Sequence, residues 1–587
     1  MRKGILMKKQ FRIVSFIMAM TMSVLLCGCN VSVNLPQEKT GDVTAKNDTL
    51  LTPAEEYPFY YASTDNESTI KLYFADEGRD IPYIDIDTAK DLIERMFHES
   101  NGDEGFELSI SEDGNTATLT RENSSSMSID TDNDVISFDD YDSFIAPSWS
   151  KTVIDTLEHY GTIDCLQINE DRSYSCSGES VEIDLGKYGI DLIEKDGKCY
   201  VPLQTFSDIA ISLPCYVDLI YNKEAVYATT FSMDDNTEFI SKSYSAGTGK
   251  RSPELAEFSY NELCMVMDHF YGLKDHQGIE DFDKYFSETG LKDGLLSEDP
   301  EESGKALAQF LHVYLDDLHS FYQSNSYLVG KDFKAYKDFG SSYHSYIATR
   351  DRLRKARKEA YPDEVPGYEE IGNTAYITFD VFDTLKDGTD YYKDPPTAET
   401  KDTVGLLLYS FGQITRDQSP VENVVFDMSL NGGGDQTTAC FMLSMILGGS
   451  SMTVKDTLTG AYVHECFKAD ANLDGVFDDK DSLTGYNLYC IGSPISFSCA
   501  NLAVSELKNS HIVTTLGQTS GGGTCIVVPF SLADGTLFRV SSCRRLSYIK
   551  NGAVYDMDLG FDPDIYIGKP SDFYDRESLT SYINSAL

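Results

Sequence analysis

Two short segments of this chain carry the residues best suited to chemistry, and each follows an apolar run typical of a buried strand. The first segment is Asn423-Val-Val-Phe-Asp-Met-Ser-Leu-Asn-Gly-Gly-Gly434, and a helix is predicted after it, from Thr437 to Leu447. Consecutive glycines allow positive φ and a close backbone approach, and they leave N–H groups that can point at an anion. The segment therefore predicts a turn that stabilises negative charge.

The second segment, Ser496-Phe-Ser-Cys-Ala-Asn501, places hydroxyl groups at a predicted helix start. A strand is predicted from Tyr486 to Ile491, and a helix follows from about Cys499 to Lys508. A serine in this position is most often a helix N-cap. It also suits a nucleophile, because the positive end of the helix dipole favours a developing negative charge. Ser498 is the predicted nucleophile.

Together the two segments resemble the C-terminal-processing and tricorn-like serine peptidases. That family has an aspartate, a three-residue gap and Asn-x-Gly-Gly, and the matching residues are Asp427, Asn431, Gly433 and Gly434. Further matches are the nucleophile loop Ser496 to Ser498, a strand segment from Tyr368 to Phe382, and Gly560 to Ile565. The resemblance covers roughly residues 300–587. It implies a crotonase-like core of ββα turns and peptide hydrolysis through an acyl-enzyme.

The family has two catalytic designs, and the sequence distinguishes them. Where the serine–lysine design has its basic lysine, this chain has Gly523, and no lysine lies between Lys508 and Lys550. The tricorn-like design takes its base from an upstream Asp-x-His-Ser/Thr motif, matched by Asp317-Leu-His319-Ser320. A histidine titrates near neutrality, so it can accept a serine proton and return it to the leaving amine. His319 is the predicted base.

Other residues are alternatives for these two roles. Ser493 and Ser496 are neighbouring candidates for the nucleophile. The chain has nine histidines, and the rivals of His319 are His312, His464 and His511.

The remaining catalytic groups follow from the resemblance less directly. The family places an orienting acid just before the Gly560 motif, where this chain has Met557 in register and aspartates on both sides. Asp558 or Asp556 is therefore the predicted acid. The predicted oxyanion donors are the N–H groups of Gly433 and Cys499, since acylation needs two such donors.

The N-terminus has the pattern of a bacterial lipoprotein signal. Basic residues precede an apolar run from Phe11 to Leu26, and Leu26-Cys-Gly-Cys29 follows. The run is shorter than the ~20 residues that a membrane span needs. The resemblance implies cleavage before Cys29 and lipidation of its sulfur, and two or more acyl chains anchor a protein stably. The predicted location is the extracytoplasmic face of the bacterial membrane.

Composition limits the class of partner. The chain has 48 basic and 95 acidic residues and a formal charge of −47, which excludes nucleic acid. The predicted partners are a peptide or protein substrate and the membrane. Of the thirteen cysteines, those beyond Cys29 form no disulfide framework or zinc pattern, and a Cys165–Cys176 pair stays open.

A chain of 587 residues is too long for one core, so a multidomain α/β (α+β) protein is expected. Two segments before predicted helices look related, Arg79 to Asp85 and Gly197 to Leu203. The second resembles a small stalk module of bacterial surface proteins, the copper amine oxidase N-terminal-like module, without copper ligands. The spacing of four apolar residues, Leu263, Val266, Met267 and Phe270, predicts a helix with one buried face. It belongs to a helical region whose last predicted helix bears His319.

The predicted division is a signal peptide at 1–29, a tether at 30–56, a β-rich module at 57–145, a stalk-like α+β module at 146–250, a helical cap bearing the catalytic histidine at 251–330, and a peptidase core at 331–587 with a calcium-loop insertion at 465–485.

The calcium loop is independent of the family resemblance. Residues 470–481 fit the twelve-residue pattern, with Gly475 at the sharp turn and oxygen-bearing groups at alternating positions. The predicted ligands are Asp470, Asn472, Asp474, Val476 through its carbonyl, Asp478 and Asp481. Aspartate replaces glutamate at the last position, which predicts weaker binding. The alternative is an acidic surface turn.

Two classes of function follow. The first is a membrane-anchored serine endopeptidase with a Ser-His-acid mechanism, supported by the joint presence of the His319 and Ser498 motifs. The second is an inactive peptidase-like scaffold or binding lipoprotein, in which the missing lysine reflects loss of activity. A metal hydrolase is a distant third, since the sequence has no histidine-rich ligand set.

Overall fold

A computed structural model describes residues 51–62, 67–75, 78–122, 124–154, 163–230, 239, 242–243, 249–324, 338–386 and 388–586. These residues belong to one compact unit, Thr49–Leu587. The predicted signal peptide, its lipidation residue Cys29 and most of the tether lie outside the described residues.

The strands are β1 (Glu55–Tyr61), β2 (Glu67–Phe74), β3 (Pro82–Asp85), β4 (Leu108–Asp113), β5 (Thr116–Arg121), β6 (Ser126–Asp130), β7 (Val135–Phe138), β8 (Leu166–Ile168), β9 (Tyr174–Cys176), β10 (Val181–Asp184), β11 (Ile193–Lys195), β12 (Lys198–Pro202), β13 (Val217–Tyr221), β14 (Val226–Thr230), β15 (Phe321–Ser324), β16 (Tyr368–Ile371), β17 (Thr374–Thr378), β18 (Asn423–Asp427), β19 (Ser450–Asp456), β20 (Tyr462–Ala469), β21 (Asn487–Gly492), β22 (Val513–Gly517), β23 (Cys525–Ser531), β24 (Leu537–Lys550), β25 (Ala553–Asp556) and β26 (Ile565–Tyr566).

The helices are α1 (Ile86–Asn101), α2 (Tyr141–Ile145), α3 (Leu203–Ala210), α4 (Ser212–Cys215), α5 (Pro253–Phe270), α6 (Lys274–Gln277), α7 (Phe282–Thr289), α8 (Lys292–Leu295), α9 (Pro300–Gln309), α10 (Ser341–Ala360), α11 (Thr403–Thr415), α12 (Gln436–Leu447), α13 (Cys499–Ser510) and α14 (Arg576–Ala586). A π-helical turn covers Phe310–Tyr314, and short 3₁₀ turns cover Gly186–Tyr188, Asp479–Asp481 and Pro570–Phe573.

The two predicted N-terminal modules are interleaved, so the boundary at 145/146 is wrong. A seven-stranded sheet has the order β11-β12-β3-β2-β1-β14-β13, and a five-stranded sheet has the order β10-β7-β6-β5-β4. Each sheet takes strands from both sides of the boundary. The related segments around β3 and β12 pair with each other, with Tyr200 opposite Asp85. Local patterns predict strands, but they do not tell which strands pair.

The predicted helical cap exists, but it is not a separate domain. Helix α5 begins after Ser252, whose side chain accepts the Leu255 N–H, and it buries Leu263, Val266, Met267 and Phe270 as predicted. These side chains share one hydrophobic core with β1–β7 and with β23 and β24. His319 is not on a helix: the chain leaves the π-helical turn at Tyr314 and forms a turn before β15.

A six-stranded sheet forms the centre of the predicted peptidase core, in the order β16-β17-β18-β21-β22-β26. Strands β17, β18, β21, β22 and β26 run parallel to one another, and the edge strand β16 is antiparallel to β17. Every residue of β18 is buried, as its apolar run predicts for a strand covered on both faces. Helices α12 and α13 follow β18 and β21, which confirms the mixed α/β architecture with a strand–turn–helix unit at each motif.

A second sheet brings distant parts of the chain to this core. It has the path β15-β24-β19-β20-β8, and β23 and β25 also pair with β24, while β9 pairs with β20. The 14-residue β24 therefore contacts β15 just after His319 and β25 just before Asp558. Strands β8 and β9 belong to the predicted stalk-like module, which is a further reason why that module is not independent.

The described cysteines are all free thiols, so Cys165 and Cys176 are not paired; Cys165 is buried and Cys176 is exposed. In the same part of the chain, no helix combines the length and the apolar character that crossing a membrane requires.

Candidate active site

Ser498 occupies a sharp turn between β21 and α13. Its backbone has φ 56° and ψ −128°, and its side chain makes no capping hydrogen bond to the helix. Its N–H donates to the Gly522 carbonyl at 2.9 Å, and its carbonyl accepts the Leu502 N–H at 3.0 Å. A positive φ in a residue with a Cβ is costly and persists where surrounding contacts fix it. Ser498 therefore occupies the N-cap position, but its hydroxyl does not cap α13 and is left for another role.

The two alternative serines have structural roles. Ser493 and Ser496 are fully buried. Ser493 Oγ donates to the Ser429 carbonyl at 2.6 Å, and Ser496 Oγ donates to the Met428 carbonyl at 2.7 Å. Both hydroxyls thus fasten the nucleophile loop to the segment after β18.

His319 lies beside this loop, in a turn fixed by Asp317 and Ser320. Asp317 accepts the His319 N–H at 3.0 Å and the Ser320 hydroxyl at 2.6 Å. Ser320 in turn accepts the Ser541 N–H of β24 at 3.1 Å. The imidazole packs edge-on against Phe497, with 4.7 Å between ring centroids, and Phe497 directly precedes Ser498. The Asp-x-His-Ser motif therefore holds the ring next to the nucleophile loop.

The surroundings of His319 keep the ring neutral. Burial lowers the pKa of His319, while the charges of Asp317 and Asp558 and a hydrogen bond to the Cys525 backbone oppose this effect. The Nδ1 atom is buried without a hydrogen-bond partner among the described residues. A neutral imidazole with an open nitrogen is the form that accepts a proton.

The rival histidines are engaged elsewhere. His312 Nε2 accepts the Tyr322 N–H at 3.1 Å. His464 Nδ1 lies 2.8 Å from Thr453 Oγ1 on the neighbouring strand. His511 adopts a left-handed conformation and ends α13.

Of the two candidate acids, Asp558 is the one whose charge acts on His319. Its Oδ1 accepts the Thr524 N–H at 3.1 Å and the Thr524 hydroxyl at 3.2 Å. Asp556 instead binds Arg545 Nη1 at 2.6 Å. Met557 between them is buried. The geometry thus favours Asp558 over Asp556.

The glycine turn touches the nucleophile loop, as expected. A Cβ on Gly433 (φ +106°) would lie 2.7 Å from Ser498 Cβ and 3.2 Å from Cys499 N, so only glycine fits. Of the predicted donors, the Cys499 N–H stands at the start of α13. The Gly433 N–H is directed to Asn431 Oδ1 at 2.9 Å, which was not expected.

The other family-matching residues hold this turn in place. Asp427 is buried and forms an ion pair with Arg576 at 2.5 Å. Asn431 is fully buried and donates to the Phe379 carbonyl. Gly434 lies against Phe382, whose carbonyl would be 2.2 Å from a Cβ there. These three residues therefore have structural roles in the turn.

Two residues that were not predicted from the sequence, Asn501 and Arg576, hold parts of the site in place. Asn501, three residues after Ser498, donates to the Met557 carbonyl at 3.0 Å and accepts from Ser520 Oγ at 2.7 Å. Its position in the first turn of the helix after Ser498 is the sequence feature that could have indicated this role. No sequence feature indicates the role of Arg576, because its partner Asp427 is distant in sequence.

The predicted calcium loop has buried carboxylates at its two ends, Asp470 and Asp481. Asp470 accepts the N–H groups of Asp474 and Gly475, and Asp481 accepts those of Asn472 and Asp478. Burial, with a contribution from Asp470 and Asp478, raises the pKa of Asp481. In the described residues, no three His, Cys, Asp or Glu side chains are grouped so as to hold a metal ion.

A protein-family model matches the part of the chain that holds Ser498 and the glycine turn. The model of peptidase family S41 matches residues 375–567, a range that includes the glycine turn, Ser498 and Asp558. The chain carries a peptidase family S41 domain. It is by this family a serine peptidase, as predicted, and its substrate is a peptide or protein. His319 lies upstream of the matched range.

Solved structures resemble the chain more loosely. A candidate peptidase from Parabacteroides merdae has a TM-score of 0.40 and 17% identity over 57% of this chain and 99% of the other. The photosystem II D1 C-terminal processing protease has a TM-score of 0.26 and 18% identity over 36% and 47%. The tricorn protease has a TM-score of 0.31 and 11% identity over 91% and 58%. No curated protein matches the sequence. The family assignment rests on the S41 match.

Proposed function

We propose that this S41 domain hydrolyses internal peptide bonds with Ser498 as nucleophile, His319 as general base and Asp558 as the acid that supports the imidazolium. The observation that carries the proposal is the backbone of Ser498, held at positive φ with an uncapped hydroxyl beside the His319 turn. Such a conformation is expected where a side chain must be presented to a substrate.

The first half-reaction forms an acyl-enzyme. Ser498 Oγ attacks the peptide carbonyl carbon as its proton passes to His319, and the Cys499 N–H at the start of α13 stabilises the oxyanion. The imidazolium then protonates the leaving amine as the C–N bond breaks. The carboxylates of Asp317 and Asp558 favour the protonated ring, so they lower the free energy of this intermediate.

The second half-reaction releases the acid product. A water molecule gives a proton to His319 as it attacks the acyl carbon, and the imidazolium returns the proton to Ser498 Oγ as the bond between the acyl carbon and Oγ breaks. The scaffold alternative differs here, because an inactive relative would bind peptides without forming the acyl-enzyme.

Labelling of the full chain with a fluorophosphonate tests the assignment, because this probe reacts with an activated serine. We expect Ser498→Ala and His319→Ala each to abolish labelling and peptidase activity without lowering the melting temperature, since the two residues act as one unit. Lys550→Ala, which removes the charge at the exposed end of β24, is the control and should label normally. Loss of activity in Lys508→Ala or Lys550→Ala with normal activity in His319→Ala would contradict the proposal.

We also propose that the mature chain is anchored through lipid on Cys29 at the extracytoplasmic face of the membrane. The lipoprotein pattern at Leu26 to Cys29 supports this. The wild-type chain should partition with membranes and carry acyl mass on Cys29, and Cys29→Ser should lose both. A fully soluble wild type that lacks residues 1–28 and has no acyl group would contradict the anchor.

We further propose that the loop of residues 470–481 binds calcium in a structural role. The pattern of oxygen-bearing residues and the burial of Asp470 and Asp481 support it. Asp474 and Asp478 now accept N–H groups within the loop and would have to turn inward to complete the ligand set.

A further inference from the structure

A second histidine, His276, lies behind the proposed catalytic acid. It belongs to the short helix α6, which follows α5, and 29% of its side chain is exposed. Its Nδ1 is 3.5 Å from Asp558 Oδ2, and its Nε2 is 3.3 Å from Asp556 Oδ2. No sequence motif marks this residue, because its contacts are with a strand end far along the chain.

The charged groups that face His276 are three aspartates and one arginine. Arg545 of β24 donates from Nη1 to Asp556 at 2.6 Å and from Nε to the Gly272 carbonyl at 2.7 Å, and it also pairs with Asp275. Asp556 Oδ1 accepts the Asp558 N–H at 2.6 Å. Arg545 and Asp556 therefore fix the backbone at Asp558 and leave its side chain to other partners.

The carboxylate of Asp558 has a partner on each oxygen. Oδ1 accepts from the backbone and hydroxyl of Thr524, and Oδ2 faces His276 Nδ1. Without His276, Thr524 would be the one remaining partner of the carboxylate among the described residues, and the group could rotate about its terminal bond. We propose that His276 is a positioning residue, which holds Asp558 in the orientation from which its charge acts on His319. This proposal rests on the catalytic assignment made above.

Either protonation state of His276 can make this contact. The neutral ring with a proton on Nδ1 presents that N–H to Asp558 Oδ2, 3.5 Å away, and its Nε2 can accept from Arg545 Nη1, 3.4 Å away. The doubly protonated ring presents an N–H to each of the carboxylates of Asp558 and Asp556 and pairs with their charges. The group that matters is thus the Nδ1–H, which is present in both forms.

Three substitutions separate this contact from the others that His276 makes. His276→Asn keeps an N–H donor close to the former Nδ1, whereas His276→Gln places its donor close to the former Nε2, towards Asp556. His276→Leu removes both donors. We expect the fluorophosphonate labelling rate of the full chain to fall about tenfold to a hundredfold in His276→Leu and His276→Gln, a loss typical of a misplaced catalytic group. His276→Asn should recover most of the rate.

The pH profile of labelling gives a readout that a merely structural role would not move. Because the Asp558 charge raises the pKa of His319, a displaced carboxylate should shift the rising limb of the profile to lower pH. This shift should occur in His276→Leu and His276→Gln and be absent in His276→Asn.

The outcomes distinguish this role from the proposed function. Persistent labelling of Ser498→Ala would refute the catalytic assignment itself. Labelling that is lost in Ser498→Ala but has wild-type rate and pH profile in His276→Leu would refute only the role of His276. Equal losses of rate and of melting temperature in all three His276 variants, with no shift of the pH profile, would make His276 a structural residue and also overturn the inference.

Discussion

At the scale of single residues, His319 is subject to two opposing effects. Burial removes water from the ring and lowers its pKa, whereas Asp317 and Asp558 raise it. The two aspartates come from different parts of the chain: Asp317 is in the same turn, and Asp558 follows β25. A base that is neutral at neutral pH and yet stabilised when protonated suits both halves of an acyl-transfer reaction.

Replacing Asp558 should separate these effects. We expect Asp558→Asn to reduce the labelling rate by about a hundredfold or more, as for the orienting aspartate of other triads. The rising limb of the pH profile should move to lower pH, because the carboxylate that raises the pKa of His319 is gone. The measurement is the labelling rate across pH.

Asp556→Asn is the matched control for this prediction. The Asp556 carboxylate is bound to Arg545, so this variant should lose much less of the labelling rate than Asp558→Asn. The rising limb of its pH profile should stay at the wild-type pH. A larger loss in Asp556→Asn than in Asp558→Asn would assign the acid to Asp556 instead.

The sequence predicted the residues whose motif is local and missed those whose role depends on distant contacts. Ser498 and His319 stand in short, recognisable contexts, and the structure brings their segments together through Phe497. The choice between Asp558 and Asp556 needed the pairing of β24 with β25, which ends at Asp556. His276 and Arg576 contact residues far away in sequence, so no spacing rule indicates them.

At the scale of elements, the strand–turn–helix units were predictable and the sheet around β24 was not. Clear apolar patterns mark β18, β21 and the helices that follow them. These elements end at the turn residues, as the sequence predicts. Strand β24 pairs with β15, β19, β23 and β25, and these pairings set the positions of His319 and Asp558. Register between distant strands depends on side-chain packing that a local pattern does not encode.

The calcium loop is an element that can be tested by itself. Binding to the folded state alone would stabilise it by about 2.7 kcal/mol at a hundredfold excess of calcium over Kd. Millimolar calcium should therefore raise the melting temperature, and Asp470→Ala and Asp474→Ala should each remove that rise. Scanning calorimetry with calcium and with a chelator is the measurement.

The control for the loop is Asp479→Ala, which removes an exposed carboxylate at a position that is not a predicted ligand. This variant should keep the response to calcium. A melting temperature that is the same in calcium and in chelator would reduce residues 470–481 to an acidic turn.

At the scale of the whole molecule, the N-terminal sheets and the peptidase core are joined by a buried charged cluster. Asp142 of α2, Asp456 of β19 and Arg544 of β24 are buried together. Arg544 Nη2 lies 3.7 Å from Asp142, and Arg544 Nε lies 3.9 Å from Asp456. Two carboxylates beside one guanidinium leave one excess negative charge in this cluster. A proton bound to one of the carboxylates removes that charge.

That proton predicts that stability falls as pH rises from about 3.8 to about 8. Burial, together with the charge of Asp456, raises the pKa of Asp142 to about 8, against an ordinary value of 3.8. The stability due to the proton is fully present below the unfolded pKa. It is lost as pH rises towards the folded pKa, because the unfolded chain releases the proton first.

Asp142→Asn keeps an oxygen that can accept the Thr459 hydroxyl, which donates to Asp142 at 2.6 Å, and it removes the ionisable group. We expect the variant to melt a few degrees above the wild type at neutral pH, with a difference that widens from about pH 4 to about pH 8 and then levels off. Glu182→Gln removes an exposed carboxylate of β10 and should follow the wild type at every pH. A difference between Asp142→Asn and the wild type that does not change with pH would mean that Asp142 is already ionised in the folded protein, with Arg544 balancing it. In that case the contact between the N-terminal sheets and the core would be an ion pair without a bound proton.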